Sequence, residues 1–277
     1  MTEIQGHADK MAVSHEDPVR YTMRLDDARL DMNPLIGETV TLTFTGNIHC
    51  ANCGRKTKKS YSQGYCFPCS QRLAACDMCI VRPHTCHFDA GTCREPDWAQ
   101  THCFQDHFVY LANSSGLKVG ITRQDQLPTR WIDQGATQAL PVLRTRSRHV
   151  AGLIEHAMSQ HVSDRTDWRK MLRGNADPID LAAHAAQLID ATQETLDTVS
   201  AQFEGRFDDA VFERVEAEDT HSSYPVDVWP EKIKSHNLDK TPEVSARLDG
   251  IKGQYLIFEN GVLNVRKYTS YELVLAA

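Results

Sequence analysis

All nine cysteines of this 277-residue chain fall between Cys50 and Cys103, and that clustering limits the possible folds more than any other feature. The segment shows little hydrophobic periodicity, so something other than an apolar core must order it. An odd number of cysteines does not close into a disulfide set. Clustered thiols in a reducing compartment are metal ligands far more often than disulfides. Cys50-x-x-Cys53 followed by Cys66-x-x-Cys69 supplies four thiolates, the number a closed tetrahedral zinc takes, and Gly54 sits where a tight turn is needed. A second site begins at Cys76-x-x-Cys79, with Cys93 and Cys103 as its other two ligands and Cys86, His84, His87 and His102 as substitutes. Four thiolates leave no open coordination position, so both Zn2+ ions are expected to be structural.

The remainder is ordinary for a globular chain, with 41% hydrophobic and 24% charged residues. Met1 to Pro18 lacks the apolar stretch of a signal peptide, and no apolar run is long enough to span a membrane. The expected setting is cytoplasmic, with no membrane partner. The net charge of −7 is unevenly spread. From Asp177 to Thr220 there are twelve acids against two bases. From Lys118 to Arg148 there are six bases against two acids, and Arg55 to Arg72 carries five bases and no acid. Local fields of this kind, rather than the total, decide whether a polyanion is attracted.

Val19–Leu25 and Glu38–Phe44 read as strands. Phe108–Leu111 and Leu117–Ile121 read as a hairpin about Asn113-Ser114-Ser115-Gly116. Thr129–Gln134 reads as a helix stopped by Gly135, Pro141–Leu143 as a third strand, and Val150–Val162 as an amphipathic helix. Asp180–Phe203 reads as one long helix with an acidic surface, followed by an acidic connector near Glu213–Tyr224. Gly253–Phe258, Val262–Arg266 and Tyr271–Leu275 read as strands, with a turn at Asn260-Gly261. Each terminal strand set is too small to stand alone, so the two are expected to pair.

Tyr110-Leu111-Ala112, Leu117-Lys118-Val119-Gly120-Ile121-Thr122, then Arg130, then Glu155 resembles the GIY-YIG nuclease-like superfamily over residues 105–176. The whole chain resembles an uncharacterised bacterial family that joins a cysteine-rich zinc segment to such a core. The resemblance implies that Tyr110 and Gly120 are the motif tyrosine and glycine, that Arg130 holds phosphate, and that Glu155 binds a divalent ion, Mg2+ or Mn2+. Lys118 stands where the second motif has tyrosine, and Phe108 where the first has glycine. Lysine serves as a base only when desolvation lowers its pKa; otherwise it contacts phosphate. His107, at the strand start, is a further base or ligand candidate. Lys118, Arg123, Arg130, Arg144 and Arg148 are the expected nucleic-acid contacts, and Trp131 and Trp168 either stack bases or pack the core.

The expected fold is α+β: a GIY-YIG-like small sheet with flanking helices (105–176), a cysteine-rich two-zinc segment (50–104), an acidic helical connector (177–224), and a small β-domain from both termini (1–49 with 225–277). The expected function is a nucleic-acid-associated zinc protein, with DNA or RNA as partner. Its sharper form is a divalent-metal-dependent endonuclease. The alternatives are a non-catalytic nucleic-acid-binding module and a protein-interaction adaptor.

Overall fold

A computed structural model describes residues 2–277. The chain opens with strands β1 (Glu3–His7), β2 (Ala12–Ser14), β3 (Arg20–Leu25), β4 (Ala28–Asp31) and β5 (Thr39–Ile48). The cysteine segment follows, with only the short helices α1 (Phe67–Arg72), α2 (Met78–Val81) and α3 (Pro96–His102). Next come β6 (His107–Asn113), β7 (Leu117–Arg123), α4 (Thr129–Asp133), β8 (Gln138–Thr145), α5 (Arg148–Met158) and α6 (Trp168–Met171). Helices α7 (Leu181–Ala191) and α8 (Gln193–Gln202) lead to β9 (Phe212–Arg214) and β10 (Thr220–His221). Strands β11 (Glu243–Lys252), β12 (Tyr255–Phe258), β13 (Gly261–Asn264) and β14 (Tyr271–Ala276) complete the fold, which is α+β.

Strands from the two ends of the chain share one sheet, in the order β1-β14-β5-β11-β12-β13. Glu3 pairs with Ala276, and Val40 with Ala246. Alternation along β5 sends Val40 and Leu42 into a core that also holds Tyr21, Met23, Leu25, Leu248, Leu273 and Leu275. Tyr21, Met23 and Leu25 come from the neighbouring three-stranded sheet β2-β3-β4.

The middle of the chain builds a second sheet, β10-β8-β6-β7, with β9 also on β8. The expected hairpin is β6–β7, and its register places Tyr110 opposite Gly120 and Ala112 opposite Lys118. Val109 and Leu111 face a core with α5, α7 and α8, while Tyr110 and Ala112 face the other way, toward Trp131 on α4. Ser147 caps α5, its side chain accepting from Val150 N. Val150, Ala151, Ile154 and Met158 then form the buried stripe, where each fully buried large aliphatic contributes about 1.5–3 kcal/mol.

Two expectations change. The long helix over 180–203 is two helices, broken at Thr192, whose buried hydroxyl donates to Leu188 O (2.7 Å). Such back-bonding disturbs a helix. The acidic connector is not free of structure, since β9 and β10 add to the edge of β8.

The two sheets are locked together around α4. Asp133 accepts from Lys10 Nζ (2.6 Å) and from Gln254 Nε2 (2.8 Å), and Gln254 also accepts from Met11 N (2.7 Å). A buried lysine, Lys252, donates to Gly174 O (3.0 Å) and Asn175 Oδ1 (3.1 Å) between the rings of Tyr224 and Trp229. No described helix is long and apolar enough to cross a membrane.

Candidate metal centre and cationic cleft

Cys50, at the end of β5, and Cys66, at the N-cap of α1, anchor the first cysteine set. The left-handed backbone at Gly54 (φ 66°) lets Gly54 N donate to Cys50 O (2.9 Å), which turns Cys53 back toward Cys50. The four sulfurs of Cys50, Cys53, Cys66 and Cys69 lie within 4.8 Å of one another. Zinc–sulfur bonds of about 2.3 Å in a tetrahedron place sulfurs about 3.8 Å apart, and Cys53 Sγ stands 3.8 Å from Cys66 Sγ. Asn52 Nδ2 donates to Cys69 Sγ (3.4 Å), an outer contact of the kind that orients metal ligands. This set can hold zinc.

The second half of the segment brings together Asp77, Cys79 and His87, whose ligand atoms also lie within 4.8 Å of one another and which could hold a metal. Cys79, Cys93 and Cys103 line one small cavity together with Cys86. Cys76 does not line it and turns instead to a larger cleft. Of the substitute ligands, His84 stacks on His156 (4.0 Å) and His102 on Trp98 (4.0 Å).

That cleft, about 730 Å3, runs along β7, the edge strand of its sheet. Tyr110, Lys118, Arg130 and Glu155, which are separated in sequence, all line it, as does Gly120. Tyr110 is fully buried; Gln134 Nε2 donates to its Oη (2.9 Å), and burial pushes its pKa up. Lys118 is 4% exposed and donates to Thr166 Oγ1 (3.0 Å). Burial lowers its pKa to about 8. Glu155 is partly buried beside Arg148, and desolvation raises its pKa to about 7. Asp164 also lines the cleft and raises Glu155 further.

Six cationic side chains reach the cleft. Lys10 is paired with Asp133, and Arg123 with Asp125 (3.0 Å). Lys118, Arg130, Arg148 and Arg266 have no carboxylate within 4.0 Å among the described residues. Arg148 is held by the cysteine segment, its backbone N donating to Cys103 O (2.8 Å) and its Nη2 to Ile80 O. A cleft with four such cations is suited to an anionic ligand.

Other expected site residues lie elsewhere. Arg144 is engaged by Asp106 (2.9 Å) and Glu213 (3.2 Å) and is outside the cleft. His107 is fully buried, with Nδ1 bonded to Gln105 O (2.8 Å), and burial lowers its pKa to about 4. Trp131 packs edge-on to Tyr110, and Trp168 stacks on Tyr255 (5.7 Å), so both serve packing. Lys10, Arg266 and Asp164 escaped the sequence reading. Of these only Asp164, nine residues beyond Glu155, is near a residue that the reading singled out.

A family model described as a protein of unknown function (DUF2797) matches residues 37–273. No curated protein and no solved structure matches the chain.

Proposed function

The chain belongs to the DUF2797 family, and we propose that it binds DNA or RNA in the cationic cleft and cleaves its phosphodiester backbone. In this reading the core is GIY-YIG-like and the cysteine segment is a zinc-stabilised wall. The observation that carries it is the meeting of Tyr110, Lys118, Arg130 and Glu155 in one cleft.

Arg130 and Arg148 offer guanidinium donors to phosphate oxygens, a match of planar forks to tetrahedral oxyanions. Lys118 is buried enough that a neutral amine is accessible near pH 8, so it accepts the proton of the attacking water. The water oxygen bonds to phosphorus, the ester P–O bond breaks, and the departing oxygen is protonated from solvent. Tyr110, its proton held more tightly than usual, stays a donor and fixes the cleft floor with Gln134. Glu155 and Asp164 would hold a divalent Mg2+ or Mn2+ ion, which when bound stabilises charge on the phosphoryl oxygens.

The test is a cleavage assay on single-stranded, duplex and branched DNA and RNA with magnesium or manganese, comparing wild type with Glu155→Gln. Cutting by wild type alone, with both proteins retarding the substrate, is the expected result. Retardation without cutting by either would reduce the function to binding. Neither retardation nor cutting at low salt would remove the nucleic-acid reading.

A further inference from the structure

Behind the cleft, the second half of the cysteine segment encloses a cavity of about 20 Å3. Cys79 on α2 lines it together with Cys86, Cys93 and Cys103, and all four cysteines are free of disulfides. Phe88, Trp98 and Phe104 make the rest of the wall largely apolar, and Asp77, His87 and Arg94 also reach it. A void of that size takes one water-sized particle. Four cysteines around one such void make a poor apolar core, and their number matches a tetrahedral donor set; no three of their sulfurs lie within 4.8 Å of one another, so they would draw together around an ion.

The Asp77–Cys79–His87 group competes for the same Cys79, so the two sets cannot both be filled. Asp77 already accepts from Arg94 Nε (2.7 Å) and caps α2 at Cys79 N (3.4 Å). His87 Nδ1 is bonded to Thr92 Oγ1 (2.7 Å). The group is also one ligand short of a closed site, and soft thiolates suit zinc better than a paired carboxylate.

We propose that Cys79, Cys86, Cys93 and Cys103 hold a second structural zinc ion, which fixes α5 and Arg148 against the cysteine segment, while Cys76 remains a free thiol facing the cleft. Two of the ligand positions lead directly to α5. Cys103 O accepts from Arg148 N, and Ile80, next to Cys79, accepts from the Arg148 guanidinium. One turn on, Gly152 allows α5 to close on the cysteine segment, since a Cβ there would lie 2.4 Å from Pro83 Cβ.

Native mass spectrometry of the full chain, purified with zinc, counts the ions. Two are expected in wild type, in Cys76→Ser and in His87→Ala, and one in Cys86→Ser and in Cys93→Ser. A single ion in wild type overturns the proposal. So does loss of an ion in Cys76→Ser or His87→Ala with retention in Cys86→Ser. Native thiol alkylation of the wild type needs no variant to fold. Cys76 should be modified first, and Cys79, Cys86, Cys93 and Cys103 should react together only after chelation, with the Arg148 amide losing hydrogen-exchange protection at the same step. Modification of Cys86 or Cys93 as fast as Cys76 in zinc-loaded protein overturns the assignment equally.

Discussion

Tyr110 lies across Gly120: the two are cross-strand partners in β6 and β7, and a Cβ on residue 120 would stand 2.7 Å from Tyr110 Oη. The glycine's role is therefore close approach rather than backbone freedom. It lets a fully buried phenol sit flat in the cleft floor, where Gln134 can hold it. In Gly120→Ala the ring must move within a packed site. Overpacking of this kind costs about 1–3 kcal/mol, so a lower urea midpoint is expected, together with weaker substrate retention. An unchanged midpoint would show that Tyr110 is not confined.

Arg130 and Arg144 should separate cleanly in binding. Arg130 has no carboxylate partner, whereas Arg144 is neutralised by Asp106 and Glu213. In fluorescence anisotropy over a salt series, Arg130→Ala should weaken binding and flatten the log–log salt slope by about one. Arg144→Ala should leave the slope alone and change stability by no more than about 1 kcal/mol.

Stability should depend on pH in two opposite ways. Glu155 is raised from 4.5 to about 7, so the folded state holds an extra proton between those values. Its contribution is full below 4.5 and is lost as pH rises through 7. Lys118 and Lys252 are each lowered from 10.5 to about 8, so the unfolded state holds the extra protons there. Their contribution is full above 10.5 and is lost as pH falls through 8. His102 and His107, each lowered from 6.5 to about 4 by burial, act against Glu155 over the same interval, because there the unfolded state holds their protons. The Glu155 effect is therefore read as a difference: the urea midpoint of Glu155→Gln relative to wild type should increase from pH 4.5 to 7, while Lys118→Met and Lys252→Met should each remove part of the wild-type rise between pH 8 and 11.

Cleavage carries the same signature. With Lys118 as proton acceptor, the rate should climb through pH 8, and Lys118→Arg, which cannot deprotonate in this range, should lose that limb while keeping phosphate contact. A wild-type profile flat from pH 7 to 9 would reassign the lysine to binding alone.

Metal removal should act first on the loop Cys50–Cys69. Structural zinc in small modules contributes about 10–16 kcal/mol of binding free energy, and little apolar packing besides Tyr65 and Leu73 accompanies these cysteines. Chelation should open residues 50–69 to proteolysis, read by mass spectrometry. It should also loosen the start of β14, where Ser270 Oγ donates to Gly64 O (3.0 Å).

What could be read from the sequence follows the range of the forces involved. The β6–β7 hairpin was legible because a polar turn separates two short runs rich in apolar residues, and α5 because Val150, Ile154 and Met158 recur at helical spacing. The split at Thr192 was not, because a single threonine gives no sign of which way its hydroxyl will bond. Strands β1, β2 and β4 are short and polar-rich, and they exist because a neighbouring strand pairs with them. Tyr110, Lys118, Arg130 and Glu155 could be read from their order along one compact unit. Lys10 and Arg266 reach the same cleft only through the pairing of distant strands, which leaves no local trace. Nor does Cys-x-x-Cys spacing say which thiols share a cavity: Cys76 and Cys79 are three residues apart and line different ones.

The sheet built from both ends of the chain also sets a timetable. Thr41 on β5 meets Ser245 on β11 across 204 residues. At about 5–20 residues per second of synthesis, Val40 and Leu42 wait roughly 10–40 s for the strand that covers them. The cysteine loops and strands β6–β8 have emerged by then, so the four thiols of Cys50, Cys53, Cys66 and Cys69 are available to a metal before the terminal sheet closes. Lys10 and Arg266 arrive with that closure, and the cleft has its full charge only at the last step of assembly.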